Sequence, residues 1–299
     1  RRPSFYGGHM AQTLSFTKMQ GCGNDYVYVN GFEEHITDPE SLAKRVSDRH
    51  FGIGSDGLVL ILPSNKADVR MRMFNPDGSE AQMCGNATRC VARYAFEHGL
   101  VADRVVKVET GAGVRVARLL LDGGRVTGAT VDMGAPILEA ERIPVAVREG
   151  EDPKAPFIAR PVTVLDREVS ITAVSMGNPH AVIFLGDGDP SLESLDLPRI
   201  GPVFEHLPLF PERVNTEFVR VESPTTVSMR VWERGTGETL ACGTGACATA
   251  VACFLNKLTD RTVQVKLRGG TLQINFNEQD GHVYMTGPAE PVFEGKLYL

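Results

Sequence analysis

Two cysteines at the starts of predicted helices are candidates for reactive residues, because of their thiol groups and their positions. Cys84 lies in "AQMCGNATRC" and Cys242 in "LACGTGACA", and each is followed by a glycine, a polar residue and a helix-forming run. A helix N-terminus carries unpaired N–H groups and about half a positive charge, so it attracts anions and lowers the pKa of a thiol. The sequence therefore predicts two reactive thiols, each beside a binding site for a carboxylate.

The segments around the two cysteines repeat each other. "DVRMRMFNPDGSEAQMCGN" contains Cys84 and "TVSMRVWERGTGETLACGT" contains Cys242, with a glutamate and an arginine at matching positions before each cysteine: Glu80 with Arg72, and Glu238 with Arg230. Both upstream runs alternate with the two-residue period of a half-buried strand, which predicts that the arginines lie on strand faces. Downstream, each copy reads as a strand, a glycine break and a hairpin, with turns at 122–124 and 280–281.

A repeat of this length predicts an α+β fold of two pseudo-symmetric domains, each a mostly antiparallel sheet or barrel around a central helix. We expect the N-terminal domain at 11–132, the C-terminal domain at 133–287, and a return of 288–299 to the first domain. The first helix is expected at about 87–98, ended by Gly99. The second is expected to carry one apolar stripe, formed by Cys247, Val251, Phe254, Leu255 and Leu258. Residues 1–10 are expected to be a cloning remnant before a native start at Met10.

Composition and charge narrow the class of protein. The 299 residues, 42% hydrophobic and 23% charged, are typical of a globular enzyme of about two domains. A net charge of -6 argues against a nucleic-acid partner. No run approaches the ~20 apolar residues of a membrane helix, which argues against a membrane partner. The six cysteines are too sparse for a disulfide scaffold and lack zinc-ligand spacing, so we expect a cytoplasmic protein with no metal. The sequence also offers no convincing cofactor motif.

Five ordered motifs carry a family resemblance: "KMQGCGNDYVYV", "FNPDGSEAQMCGNATRC", "SMGNPHAVIF", "PERVNTEF" and "ERGTGETLACGTGACA". Together they resemble the diaminopimelate epimerases over nearly all of 16–299. The resemblance implies a cofactor-independent two-base epimerase that interconverts LL- and meso-diaminopimelate in lysine and peptidoglycan precursor biosynthesis. It also implies a small-molecule substrate, a homodimer, and two domains that close over the substrate.

The resemblance also implies roles for individual residues. Cys84 would be the thiol that protonates one face of the substrate carbon, and Cys242 the thiolate that removes the proton from the other face. His180 and Glu233 would tune the thiols. The substrate-binding residues would be Asn24, Asn75, Gly85, Asn86, Asn178, Asn215, Glu233, Arg234, Gly243 and Thr244. Read locally, an asparagine beside glycine or proline is more often a turn residue, and a single histidine more often a structural one.

Three other functions remain open at the level of the sequence. A proline or hydroxyproline racemase or epimerase would also use two thiols, but its substrate has no distal head group for asparagine and arginine to bind. A cysteine hydrolase would pair Cys242 with His180 and leave the repeat at Cys84 without a role. A non-catalytic anion-binding module would hold its ligand by backbone N–H groups alone, so it would tolerate serine at both cysteines.

Overall fold

The computed structural model describes residues 12–299, which form eighteen strands and four helices. The expected cloning remnant at 1–10 lies outside the described residues. The strands are β1 Thr13–Gly21, β2 Asn24–Asn30, β3 Leu58–Leu62, β4 Val69–Phe74, β5 Glu80–Ala81, β6 Val105–Thr110, β7 Gly113–Asp122, β8 Arg125–Asp132, β9 Arg160–Val164, β10 Arg167–Ser175, β11 Pro179–Phe184, β12 Asn215–Ser223, β13 Thr226–Glu233, β14 Gly237–Glu238, β15 Thr262–Leu267, β16 Gly270–Phe276, β17 Val283–Pro288 and β18 Glu290–Tyr298. The helices are α1 Pro39–Ser47, α2 Gly85–Glu97, α3 Leu197–Glu205 and α4 Gly243–Leu255, with short 3-10 turns at Ala140–Arg142 and Leu192–Ser194.

All 18 strands belong to one hydrogen-bonded ladder whose two ends mirror each other. From one edge the order is β18-β1-β2-β3-β4-β6-β7-β8, followed by β17-β16-β15-β13-β12-β11-β10-β9. The two-residue strands β5 and β14 attach to β4 and β13. The parallel pairs β2–β3 and β4–β6 in the first half correspond to β11–β12 and β13–β15 in the second. All the remaining strand pairs are antiparallel. The expected fold class, a mostly antiparallel α+β fold of two similar halves, is confirmed.

The outer edge strands of the two halves come from different parts of the chain. In the second half, β9 precedes β10 directly and pairs with it. In the first half the corresponding partner of β1 is β18, which comes from the C-terminus, so that Leu14 pairs with Leu297. This register covers Leu14 and the ring of Phe16, which makes an edge-to-face contact with Phe293. The division of the chain at 132 and 288 stays a prediction.

The two long helices lie inside the halves, and each is 13 residues long. Helix α2 begins two residues earlier than expected and ends before Gly99, whose φ of 69° suits a glycine C-cap. The single apolar stripe expected for α4 is wrong. Every residue from Gly245 to Cys253 is buried, whereas Leu258 lies beyond the helix and is 39% exposed. Small alanine, glycine and cysteine side chains let β10–β12 and β15–β17 enclose α4 on all sides.

Two further helices, not predicted from the sequence, form the parallel crossovers. Helix α1 joins β2 to β3, and α3 joins β11 to β12. Asp38 caps α1 by accepting the Ser41 N–H at 3.1 Å, and Pro39 occupies the first turn. Each packs its apolar face on the outside of its sheet, forming cores separate from the central one. No helix within residues 12–299 is long and apolar enough to cross a membrane.

Candidate active site

Cys84 and Cys242 occupy the N-cap positions of α2 and α4, as the repeat predicts. Both have extended backbones, with φ of -141° and -123°, and each helix begins at the glycine that follows. The Cys242 Sγ accepts the Gly245 N–H at 3.3 Å. Both cysteines line one cavity of about 510 Å³, so the two helix N-termini open onto a shared space.

The glycines after the cysteines let the two helix ends converge on one methionine. A Cβ on Gly85 would lie 2.3 Å from Met285 Cε, and a Cβ on Gly243 would lie 3.1 Å from Met285 Sδ. Met285 lies in β17, which pairs with β8 where the two halves join, and its partner there is Val131. A side chain at either position would therefore require the end of the Met285 side chain to shift.

The cavity brings together most of the residues that the resemblance assigns to substrate binding. In addition to the cysteines, its lining includes Asn24, Asn75, Gly85, Asn86, Asn178, Glu233, Arg234, Gly243 and Thr244. It also includes Tyr26 and Arg115, which the sequence motifs did not predict. A second cavity of about 800 Å³ shares Asn24, Asn75 and Glu233 with the first, so the site continues toward the surface.

Asn215 lies behind the cavity wall, where it fixes the backbone of its neighbours. Its Nδ2 donates to the Pro179 carbonyl at 2.9 Å, and its Oδ1 accepts the Arg234 N–H at 2.8 Å. Since both ends of the amide have partners and the residue is 4% exposed, Asn215 positions Arg234 and does not itself face the cavity.

His180 is also behind the wall, in a hydrogen-bonded chain that leads to Cys242. Its Nδ1 lies 2.6 Å from Glu217 Oε1, and its Nε2 lies 3.0 Å from Asn178 Oδ1; both His180 and Glu217 are completely buried. Asn178 Nδ2 donates to Thr244 Oγ1 at 3.2 Å, and Thr244 Oγ1 lies 3.5 Å from Cys242 Sγ. His180 therefore reaches the sulfur only through two intervening side chains.

A different set of side chains surrounds Cys84. Asn24 Oδ1 lies 3.4 Å from Cys84 Sγ and accepts from Asn86 Nδ2 at 3.4 Å, while Asn24 Nδ2 donates to Asp56 at 2.9 Å. Tyr26 stands here where His180 stands in the other half. The repeat could have identified Tyr26, because it follows Asn24 by the same two positions by which His180 follows Asn178. Asp56 and Glu217 carry no such signal, because the loop before β3 brings Asp56 to the site and the pairing of β12 with β11 brings Glu217 there.

Burial raises the pKa of both thiols, so the expectation that their pKa values are lowered overall is wrong. For Cys84, burial is the largest effect, and N–H groups of α2 oppose it. For Cys242, burial and then the carboxylates of Glu233 and Glu217 hold the pKa well above its ordinary value. The helix ends do act in the expected direction, but desolvation in a closed pocket outweighs them.

Glu233 gives the cavity an acidic wall that acts on both thiols. Burial raises the pKa of its own carboxyl, against the hydrogen bond that Thr239 donates. Its charge raises the pKa of Cys84 as well as that of Cys242. Within residues 12–299, no group of three or more histidine, cysteine, aspartate or glutamate side chains is placed to hold a metal ion.

A family model and the curated relatives of this chain name the same family. The diaminopimelate epimerase family model matches residues 16–139 and 172–292. The diaminopimelate epimerase of Desulfovibrio desulfuricans is 62% identical over 291 residues, covering 97% of this chain and 100% of the relative. That of Acetivibrio thermocellus is 55% identical over 286 residues, covering 96% and 99%.

Solved structures with much lower identity have the same fold. A hydroxyproline epimerase from Agrobacterium vitis superposes with a TM-score of 0.67 at 14% identity, covering 95% of this chain and 91% of that one. A phenazine biosynthesis protein of the PhzF family from Bacillus anthracis gives 0.65 at 18% identity, covering 96% and 100%. The curated relatives support an isomerase of the epimerase type. The match of family model and full-length relatives, on a chain with paired cysteines at two helix ends, shows that it belongs to the diaminopimelate epimerase family.

Proposed function

We propose that the protein is a cofactor-independent epimerase that interconverts LL- and meso-diaminopimelate by a two-base mechanism. The observation that carries the proposal is the pair of equivalent cysteines, Cys84 and Cys242, at two helix N-termini that face one cavity. A substrate carbon between two sulfurs can lose a proton to one and gain a proton from the other.

Each step balances without a further reactant. The Cys242 thiolate takes the proton from Cα and becomes a thiol, while the electron pair of the broken C–H bond passes into the carboxylate. The backbone N–H groups of Gly85, Asn86, Gly243 and Thr244 would stabilise the charge that develops there. The Cys84 thiol then donates its proton to the opposite face and becomes a thiolate, and the reverse reaction exchanges these roles.

The raised pKa values of the thiols favour activation by the substrate itself. Burial and the negative charges of Glu233 and Glu217 oppose a thiolate at Cys242. Diaminopimelate brings two ammonium groups, and an opposite charge within about 4–6 Å lowers a thiol pKa by roughly 1–3 units. Ionisation of one thiol is therefore coupled to binding of this class of substrate.

The rest of the lining supports a substrate with a second charged end. Asn24, Asn75 and Asn178, with Glu233 and Arg234, offer the acceptors and donors that amino and carboxylate groups require. Proline and hydroxyproline have no distal amino acid group to use them. These lining residues make diaminopimelate a better candidate substrate than hydroxyproline.

The hydrogen-bond pattern argues against a cysteine hydrolase. A nucleophilic Cys242 would need His180 as its base within hydrogen-bond reach. Instead, the ring nitrogens of His180 are engaged by Glu217 and Asn178. A hydrolase would also leave Cys84 at the other helix end without a function.

The wider setting of the proposed reaction follows from the same assignment. We place it in lysine and peptidoglycan precursor biosynthesis, in the cytoplasm, where a reducing environment keeps both thiols free. All six cysteines are free in the structure. We further propose that two domains, 11–132 with 288–299 and 133–287, close over the substrate, and that the protein is a homodimer.

The deciding experiment is incubation of freshly reduced enzyme with LL-diaminopimelate in deuterated water, without added cofactor. We expect deuterium at the α-carbon and formation of the meso isomer, both measured by NMR and mass spectrometry. Trans-4-hydroxyproline is the control substrate and should remain unlabelled. Absence of exchange into diaminopimelate would refute the proposed function, and labelling of hydroxyproline alone would move the substrate to the other class.

A further inference from the structure

Arg89, in the second turn of α2, is a completely buried cation whose role the two-base mechanism does not define. Its side chain is 0% exposed, although arginine is one of the largest residues. No carboxylate within residues 12–299 forms a salt bridge with it. A buried, unpaired charge destabilises the folded state, so its retention calls for a compensating interaction.

The hydrogen bonds of Arg89 lead directly into the site. Its Nη2 donates to Asn86 Oδ1 at 2.8 Å, and its Nε donates to the Pro288 carbonyl at 2.9 Å. The bond to Asn86 turns the amide so that its Nδ2 faces Asn24 Oδ1, which is also the partner of the Cys84 thiol. The buried Nη1 has no hydrogen-bond partner among the described residues, so the guanidinium retains unused donor capacity.

The surrounding backbone is built to admit the guanidinium group. A Cβ on Gly21 would lie 2.9 Å from Arg89 Nη2, and a Cβ on Gly287 would lie 3.0 Å from Arg89 Cζ. These glycines belong to β1 and β17, on two sides of α2. Room for the cation therefore depends on the absence of a side chain on two separate strands.

The groups whose pKa Arg89 lowers include four thiols. Its charge lowers the pKa of Cys84, Cys22, Cys90 and Cys247, in each case against the larger effect of burial. The nearby carboxylate of Glu290 is exposed and accepts from Gln20 at 2.8 Å, so it does not neutralise the cation. Among these thiols, Cys84 alone lines the cavity and is only partly buried.

The cation also breaks the symmetry of the site. Counting from the two cysteines, the position of Arg89 in α2 corresponds to Cys247 in α4. The half that contains Cys84 therefore has a fixed positive charge behind the thiol. The half that contains Cys242 has the buried carboxylate of Glu217 instead.

We propose that Arg89 is the positioning and charge-balancing residue for Cys84. It orients Asn86 toward Asn24 and compensates the negative charge that forms when the Cys84 thiol gives up its proton. This inference rests on the proposed function, in which Cys84 becomes a thiolate once per turnover. The partner of the unpaired guanidinium is then the Cys84 thiolate, which forms only during the reaction.

The test measures alkylation of Cys84 by iodoacetamide between pH 6 and 10, in a Cys242→Ser background, with peptide mass spectrometry to identify the modified thiol. We expect Arg89→Met to move the alkylation profile upward by about one pH unit or more, a loss of about 10-fold in rate at fixed pH, because an opposite charge is removed. Arg89→Lys keeps the charge and should stay close to the parent protein. Arg93→Met is the matched control, because Arg93 lies one turn further along α2 and pairs with Glu97.

Arg89→Gln decides the question if the methionine variant does not fold, because glutamine can keep a bond to Asn86 without the charge. A folded Arg89→Gln or Arg89→Met protein whose profile superposes on the parent profile would overturn the inference, and so would an equal shift in Arg93→Met. Alkylation needs no substrate, so its outcome is independent of the exchange experiment. Wild-type enzyme that fails to exchange deuterium would refute the proposed function, whatever the thiol profiles show.

Discussion

The two thiols differ in the groups that contact their sulfur atoms. Cys84 Sγ lies against Asn24 Oδ1, an acceptor that suits a protonated thiol. Cys242 Sγ accepts the Gly245 N–H and lies beside the Thr244 hydroxyl, two donors that suit a thiolate. The side chains beside the two thiols therefore differ, although N–H groups of both helix ends lower the pKa of their thiol. The carboxylates of Glu233 and Glu217 oppose a thiolate at Cys242, so its role as the base depends on the positive charge that the substrate brings.

Replacing either catalytic thiol by serine tests the pairing of the two bases. We expect Cys84→Ser and Cys242→Ser each to lower kcat for epimerisation by about 10²–10⁴-fold, because a positioned acid or base contributes about that factor and a hydroxyl barely ionises. The measurement is deuterium exchange and isomer formation with LL-diaminopimelate. Cys253→Ala, at the other end of α4, is the control and should keep wild-type turnover. Both serine variants retaining turnover would rule out the assignment.

The Thr244 hydroxyl provides a second test at this scale. We expect Thr244→Val to lower kcat/KM by about 10-fold or more, because a hydrogen bond to a charged group is worth about 1.5–3 kcal/mol. Thr244→Ser retains the hydroxyl and should recover most of the activity. Rates of both variants, measured from pH 7 to 10, check the prediction, which fails if valine and serine behave alike.

Each half contains a matching ion pair between two of its own strands. Arg72 on β4 donates to both oxygens of Glu80 at 2.7 Å, and Arg230 on β13 donates to those of Glu238 at 2.8 and 2.9 Å. The expectation that both arginines lie on strand faces is confirmed. Their surroundings differ, since the first pair is 33% and 44% exposed and the second is 7% and 16% exposed. Arg230 also donates to the Leu192 carbonyl, which ties β13 to the turn before α3.

Breaking these equivalent pairs should have unequal effects on stability. We expect Glu238→Gln to lower the free energy of unfolding by about 3 kcal/mol, as for buried pairs that lose one partner. Glu80→Gln should lower it by about 1 kcal/mol or less, as for solvent-exposed pairs. Urea unfolding of both variants at pH 7 provides the comparison, each serving as the control for the other. Equal losses would show that burial does not set the difference.

At the scale of the molecule, one central core surrounds both long helices and contains several thiols. Burial raises the pKa of Cys90 to about 11 and those of Cys247 and Cys253 to about 12. In the unfolded chain these thiols ionise near pH 8.5. Above about pH 8.5 the unfolded state therefore releases protons that the folded state retains, and folding loses stability as pH rises. Below that pH both states are protonated, and the contribution is fully present.

The sign and slope of this effect can be measured. We expect the free energy of unfolding to fall between about pH 8.5 and 12, with each buried thiol contributing about 1.4 kcal/mol per pH unit. Cys247→Ala removes one such thiol, so its stability should fall less steeply by about that amount. Urea unfolding at pH 8, 9 and 10 with reductant tests this, and a difference between the two proteins that stays constant with pH would contradict it.

Sequence patterns predicted the elements with strong local signals and missed those without them. The repeated motifs placed α2 and α4 and both hairpins near their observed positions, because turn glycines and strand alternation are local. The nine-residue helices α1 and α3 escaped prediction, since they are short and rich in polar residues or proline. The apolar stripe predicted for α4 was wrong because strands from the whole second half enclose the helix, which its own sequence does not specify.

The sequence by itself determined the repeat, the fold class and the identity of the paired cysteines, because these depend on residue type and spacing along the chain. Only the tertiary structure decided which side chains face the cavity, since packing of distant strands moved Asn215 and His180 behind the wall. It also decided the charge around the thiols. Burial and the carboxylates of Glu233 and Glu217 act through space and outweigh the helix-end effect read from the sequence, whereas Arg89 acts in the same direction as the helix end at Cys84.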